Sequence, residues 1–420
     1  MAARSFPHPM ETAEIIAIGS ELLTPHRVDS NSLYLTRQLN SIGIEVDLKV
    51  VAGDQETRLE QVVRSAVERS PLVIATGGLG PTEDDITRKV FARVLRRQMV
   101  LQHDILQTIR ARFRSRGLEM PGNNARQALV PVGARVLENR LGTAPGLWLE
   151  KGEVVIVLLP GVPSEMKAIF EESCLPSLSQ RSKGFHLVTR VLRSTGMTES
   201  QLDEQIAPIY TPHKNPVTTI LSGKGEIQVH LTGRAQSREE AEALVQKVAD
   251  PIQVKLGDFI FSTGDQSLEQ VVGECLLRKK ETLAVAESCT GGLIAERITR
   301  VPGSSRYFMG GVTCYSNRSK VEFTGMPPLL MEMSGAVSAE VAKGLAEGIR
   351  DRMGASIGIG VTGVAGPSGG SQEKPVGLVH LALAMGSQVE HRECRFSGDR
   401  ERIRFWASQT ALDMVRRRLL

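Results

Sequence analysis

Five times along the chain, an apolar run of strand length breaks into a glycine-bearing polar loop, and four of these loops lead on to a helix. Glu14–Ile18 ends at Gly19-Ser20-Glu21. Leu72–Thr76 runs into Gly77-Gly78-Leu79-Gly80-Pro81-Thr82-Glu83-Asp84-Asp85, and Val154–Leu159 into Pro160-Gly161-Val162-Pro163. Thr282–Ala286 runs into Glu287-Ser288-Cys289-Thr290-Gly291-Gly292, and Ala355–Thr362 into the Gly363–Gly370 loop. Strands that alternate with helices imply an α/β fold, a doubly wound parallel sheet with helices on both faces. Ligands of such sheets sit beyond the carboxyl ends of the strands. The chemistry is therefore expected in the loops.

A length of 420 residues implies roughly two or three domains. Charged residues make up 23% and the net charge of +4 is spread along the chain, so nothing calls for a nucleic-acid partner. The five cysteines are scattered without metal spacing, which fits a reducing compartment. Met1–Pro9 lacks an apolar signal core and no run reaches bilayer-spanning length. A cytoplasmic protein with a loose tail over residues 1–12, and no membrane association, is the expectation.

In the first third, Ser30-Asn31-Ser32 is expected to cap a helix carrying Leu35 and Leu39. The glycines of the Gly77–Asp85 loop leave backbone bare for phosphate oxygens. Glu83, Asp84 and Asp85 are hard oxygen donors suited to Mg²⁺ or a similar divalent cation, and equally an acidic start complementing the dipole of the helix Ile86–Leu95. From about Gly184 the texture changes to a small α+β segment. Its strands are expected at His186–Leu192 and Glu226–Thr232 and its helices at Ser200–Ile209 and Glu239–Val254. Gly223-Lys224-Gly225 lacks the GXXG spacing of an RNA clamp and has no basic or aromatic stripe beside it, so a structural spacer is expected there.

In the last third the Ser288 turn reads in two ways. Ser288 or Thr290 caps the following helix, or Ser288 is a nucleophile beside the free amides of a helix start. A serine needs a base. His380 and His391 lie on strand runs without supporting spacing. Lys320 lies just past a strand end with Tyr315 and Asn317 nearby, and a lysine desolvated there gives up its proton. Cys289 is a rival nucleophile, since helix starts depress thiol pKa. Gly363–Gly370 offers amides to an anion. Arg400 and Arg404, one turn apart, are placed to clamp a phosphate.

Ala286–Gly292, Tyr315-Ser316-Asn317, Gly363-Val364-Ala365-Gly366-Pro367 with Gly369-Gly370, Lys374-Pro375-Val376-Gly377 and Phe396–Arg400 together resemble the C-terminal domain of the CinA (competence/damage-inducible protein A) family. Gly77–Thr87, Gly142–Gly146 and Leu159–Met166 resemble the molybdopterin-binding-like domain at the front of its full-length members. The resemblance implies a molybdopterin-binding-like domain over residues 13–180, a KH-like spacer over 181–262 and an amidase domain over 263–420, in a homodimer. It implies hydrolysis of nicotinamide mononucleotide to nicotinate mononucleotide and ammonia. Ser288, Lys320 and Tyr315 would be catalytic. Cys289, Thr290, Gly291, Gly292, Asn317, Gly363, Gly366, Arg400 and Arg404 would hold substrate, with no cofactor. The front domain would cleave ADP-ribose to AMP and ribose 5-phosphate with Mg, Mn or Co held by Glu83, Asp84 and Asp85. Gly19, Glu21, Asn31, Gly77, Gly78, Gly80, Thr143, Pro160 and Gly161 would hold the nucleotide there. Thr24-Pro25-His26 departs from the expected glycine turn. The competing expectation is a non-enzymatic nucleotide- or pterin-binding accessory protein of competence or DNA damage.

Overall fold

A computed structural model of the chain describes residues 10–182, 185–223 and 225–420. Most of the expected tail, together with Gly184 and Lys224, lies outside them. The chain divides into two compact units, one holding residues up to Val188 plus Gly233–Leu244, the other Thr189–Thr232 plus Val245–Leu420.

In the first unit, β1 (Thr12–Ile18), α1 (Ser30–Ser41), β2 (Glu45–Ala52), α2 (Glu56–Arg69), β3 (Leu72–Thr76) and α3 (Thr87–Val94) alternate as expected. A short ribbon of β4 (Met99–Leu101) and β5 (Leu129–Pro131) flanks α4 (His103–Arg114). β6 (Arg135–Leu137), β7 (Gly146–Lys151) and β8 (Val154–Leu159) follow, then α5 (Pro163–Ile169) and α6 (Leu175–Arg181), joined by a wide turn. The main sheet has the order β2-β1-β3-β8-β7-β6. β1, β3 and β8 are parallel neighbours and are buried almost throughout, hence their unbroken apolar sequences. Their carboxyl ends therefore share one rim. One expectation fails locally. Asp29, not Ser30-Asn31-Ser32, caps α1, and its carboxylate accepts the Ser32 amide at 2.9 Å.

In the middle of the chain, β9 (His186–Ser194) and α7 (Glu199–Tyr210) precede a hairpin of β10 (Val217–Gly223) and β11 (Glu226–Ala235), then α8 (Arg238–Leu256) and β12 (Ile260–Ser262). The sheet order is β10-β11-β9-β12. β11 alternates Ile227, Val229 and Leu231 onto a core with Leu192, Leu202 and Ile252.

The last third runs α9 (Leu268–Lys279), β13 (Leu283–Glu287), α10 (Leu293–Thr299), β14 (Phe308–Thr313), α11 (Asn317–Thr324), α12 (Pro328–Ser334), α13 (Ala339–Met353), β15 (Ile357–Gly363), β16 (Leu378–Met385), β17 (Gln388–Arg395) and α14 (Arg400–Leu419). The sheet order is β14-β13-β15-β16-β17. β13 pairs in parallel with β14 and β15, while β15–β16 and β16–β17 are antiparallel. This register brings the ends of β13, β14, β15 and β17 and the start of β16 to one rim.

The β15 glycines explain how tightly that rim is fixed. Alternate residues of β15 face α13, and a Cβ on Gly358 or Gly360 would lie 2.0 Å from the Ala346 oxygen or 2.2 Å from the Ala342 oxygen. Backbone thus packs on backbone, with Ala342, Ala346, Ala382 and Ala384 filling the layer. A methyl at Gly360 must push helix from sheet. Gly360→Ala is expected to cost about 3 kcal/mol, the upper range of overpacking, read as a lowered denaturation midpoint at unchanged m-value.

Candidate functional site

The Ser288 turn is built by a buried carboxylate. Glu287 closes β13 at 1% exposure, and its oxygens accept the amides of Gly292 (3.0 Å), Ile294 (3.1 Å) and Ala295 (2.9 Å). A carboxylate there satisfies the orphan amides of α10 and complements its dipole. This corrects the expectation of a fully open helix start. The free amides of the turn reduce to those of Cys289 and Thr290, because Ser288 donates to Val361 O at 3.0 Å and Gly291 to Ser288 O at 3.1 Å. Gly291 (φ 61°) and Gly292 (φ 94°) take left-handed conformations that side chains resist, so the turn needs both.

Ser288 is 7% exposed at this rim. Cys289 instead joins the hydrophobic core with Ile294 and Val361, and burial pushes its thiol up to about 12. A thiol held protonated in the core argues against the rival nucleophile and leaves Cys289 only its backbone to offer a substrate. Thr290 is fully buried, and its hydroxyl has no hydrogen-bond partner among the described residues.

Lys320 lies in the first turn of α11, capped by Ser316, and not in a loop as its sequence neighbours suggested. The Cys314 amide bonds to Glu287 O at 2.8 Å, which ties the end of β14 to that of β13 and brings α11 to the Ser288 rim. Lys320 is 3% exposed and, among the described residues, forms no ion pair. Burial holds its amine below the ordinary 10.5, opposed by Cys314, Cys289 and Tyr315. No hydrogen bond joins the Lys320 amine to the Ser288 hydroxyl. Catalytic hydrogen bonds are often long before substrate binds.

Arg400 bonds Gly366 O at 2.7 Å and Tyr315 OH at 2.8 Å, so one guanidinium spans two of the motif loops. Arg404 donates to Thr290 O from Nε (3.1 Å) and Nη2 (2.7 Å). Asn317 is exposed at the start of α11, and Gly363 closes β15. Ser288, Thr290, Gly291, Gly292, Tyr315, Asn317, Lys320, Gly363, Gly366, Arg400 and Arg404 thus gather at one rim. His380 and His391 bond each other at 3.1 Å and take no part. The residue that sequence reasoning missed is Glu287. Its signal was an acid five positions before the second glycine of a strand-to-helix turn.

The front-domain residues also converge. A cleft of about 470 Å³ is lined by Gly19, Glu21, Gly77, Gly78, Gly80, Thr143, Pro160 and Gly161. Gly77 is obligatory, since its Cβ would stand 2.0 Å from Ile18 O. Asn31 donates to Thr76 Oγ1 (3.0 Å) and Gly161 O (2.9 Å), while its buried Oδ1 has no partner. Arg88, 4% exposed, stitches the loop through Leu79 O and Gly80 O.

The acidic triplet does not form the expected metal set. Asp85 accepts the Gly80 and Thr82 amides at 2.7 and 2.8 Å, so it staples the loop. Glu83 points to solvent and pairs with Arg126. Asp84 lines the cleft beside Asp85, and a hydrogen bond from Thr82 holds its carboxyl below the ordinary value. Among the described residues, no three His, Cys, Asp or Glu side chains are grouped to hold an ion. These residues do not fit a preassembled three-carboxylate centre.

Residues 265–419 match the family model "CinA C-terminal domain", residues 189–262 the "Damage-inducible protein CinA KH domain" and residues 14–180 the "Probable molybdopterin binding domain". A CinA-like protein of Koribacter versatilis is 50% identical over 415 residues, covering 97% of this chain and all of its own. One of Solibacter usitatus is 48% identical over 409 residues, covering 97% and 98%. A competence/damage inducible protein structure from Agrobacterium tumefaciens is 38% identical over 36% of this chain and 96% of its own, at a TM-score of 0.34. Among the described residues, no helix is long and apolar enough to cross a membrane. The chain belongs to the CinA family, with a molybdopterin-binding-like domain in front, a KH domain in the middle and a CinA C-terminal domain at the end.

Proposed function

We propose that the C-terminal domain hydrolyses the carboxamide of nicotinamide mononucleotide. The observation that carries this reading is Lys320, a lysine buried without any acid partner on the rim that presents Ser288. A neutral amine there takes the Ser288 proton as Oγ attacks the amide carbon. The amides of Cys289 and Thr290, unbonded among the described residues, are proposed as donors to the developing oxyanion. The proton passes to the leaving nitrogen, the C–N bond breaks, and ammonia departs. Water then hydrolyses the ester, giving nicotinate mononucleotide and restoring the serine hydroxyl. Arg400 orients Tyr315 at the mouth, and Arg404 fixes the carbonyl of Thr290. Both arginines spend donors on the protein, so the phosphate is met by what remains of their forks.

The front cleft is proposed to take ADP-ribose and release AMP and ribose 5-phosphate. Bare glycine backbone along the cleft supports a ligand there. Carboxylates of Glu21, Asp54, Asp84, Asp85 and Glu165 line the cleft and, among the described residues, no lysine or arginine does. A diphosphate would therefore arrive with its own divalent cation, which is proposed in place of a resident centre.

Two outcomes are expected with purified full-length protein. Ser288→Ala lowers ammonia release from nicotinamide mononucleotide by roughly 10³-fold or more, with ADP-ribose cleavage unchanged, while Asp84→Ala does the reverse. Binding of both compounds without turnover would replace these activities with a binding role. The second outcome concerns pH. Lys320 works as the neutral amine and its pKa lies below 10.5. The kcat/KM for ammonia release therefore rises with pH through that lowered pKa and falls as the amine is protonated. A pH–rate profile with no acid limb attributable to Lys320 contradicts the assignment.

A further inference from the structure

Resting on the reading that the front cleft takes ADP-ribose, we infer that a separate slot beside that cleft holds the adenine ring. A cavity of about 310 Å³ lies between α4 and the 138–145 loop that joins β6 to β7. Ile105, Thr108, Ile109 and Arg112 of α4 line it at three- and four-residue spacing, which is one face of a helix. Val136 and Pro145 add apolar surface from the other side. Slot and cleft adjoin, because Thr143 lines both. Asn139 and Gly142 line the slot and Glu165 lines the cleft. Asn139 Nδ2 donates to Glu165 Oε2 at 2.7 Å, and a Cβ on Gly142 would lie 2.0 Å from that same oxygen. One layer of residues therefore separates the two spaces.

The slot is built before a ligand arrives. Arg112 donates to the carbonyl oxygens of Asn139 (3.0 Å), Arg140 and Gly142, which pins the loop to α4. Asn139 Oδ1 accepts the amides of Leu141 (3.0 Å) and Gly142 (2.7 Å), and its Nδ2 also donates to Ala144 O at 2.8 Å. The Thr108 hydroxyl donates to Asp104 O at 2.9 Å. These groups are spent on the protein, so the walls left for a guest are those of Ile105, Ile109, Val136 and Pro145. A phosphate is not suited to this space. Arg112 is the one cation lining it among the described residues, and both of its Nη atoms are taken by carbonyls. The ionised acceptors there are Glu138, which pairs with Arg140 at 3.8 Å, and Asp104, which has no ion pair among the described residues. Apolar walls with a carboxylate at the edge suit a flat uncharged ring that carries an amino group. The volume is at the lower end of small-molecule pockets, enough for a base and too little for the whole of ADP-ribose. The adenine amino group meets the carboxylate edge, and the phosphates pass Thr143 into the cleft.

Thr108 is exposed on α4, so a large side chain there fills the slot from outside the core. Equilibrium dialysis of the full chain with magnesium present is expected to show AMP bound roughly tenfold or more tighter than inosine monophosphate or ribose 5-phosphate. Thr108→Trp should bring AMP down to the level of ribose 5-phosphate at unchanged melting temperature, with ribose 5-phosphate itself unaffected, while Thr108→Ala keeps the preference. Asp104→Asn, at the exposed start of α4, should narrow the preference for AMP over inosine monophosphate without filling the slot. AMP bound no tighter than ribose 5-phosphate, or as tightly in Thr108→Trp as in the unaltered chain, overturns the slot. Equal binding of AMP and inosine monophosphate, or a preference that Asp104→Asn leaves untouched, overturns the amino-group contact. ADP-ribose cleavage by the same preparations separates the slot from the activity. Turnover with a KM unchanged in Thr108→Trp removes the slot and keeps the activity, whereas AMP binding lost in Thr108→Trp without any turnover keeps the slot and removes the activity.

Discussion

The carboxylate of Glu287 is the constraint on which the C-terminal site depends. It is a buried acid held by three amides at the start of α10. Hydrogen bonds to a charged acceptor contribute roughly 1.5–3 kcal/mol each, and removing the acceptor would strand the donors. The chain therefore leaves β13 in one way only, and Ser288 is set where the strand stops. The same residue fixes the neighbour, because its carbonyl oxygen receives the Cys314 amide and so locates the end of β14. From there Ser316 caps α11 and Lys320 follows one turn later. Ser288 and Lys320 are positioned by a short run of backbone bonds and not by each other.

Burial then gives each group a different chemistry. Cys289, next to Ser288, goes into the core and is held protonated. Lys320 is buried too, but for an amine desolvation favours the neutral form, which is the reactive one. One environment holds a thiol protonated and lowers the pKa of a lysine. The arginines add rigidity more than free charge, since Arg400 and Arg404 tie loops together through carbonyl and phenol oxygens.

The fold and the rim were legible because strand-length apolar runs ending in glycine loops leave a local signature. Parallel pairing then places their ends together without further information. What escaped was set by long-range geometry. Three adjacent acids look alike in sequence, yet one turn sends Glu83 to solvent and uses Asp85 to staple its own loop, with Asp84 beside it on the cleft. The partner of Glu287 depends on how the chain bends five residues later. β10 escaped because half of it is exposed, and β7, with Trp148, because its buried run is short and follows a glycine loop. Lys320 was assigned to a polar loop because a serine cap and a loop serine read alike.

The central claim is that burial without an acid partner lowers the pKa of the Lys320 amine. NMR titration of ε-¹³C-labelled lysine in the intact protein, with the Lys320 resonance assigned by its absence in Lys320→Arg, measures this directly. A Lys320 titration point clearly below the ordinary 10.5 and below those of the exposed lysines is the expected result. Lys320 titrating with the exposed lysines would contradict it.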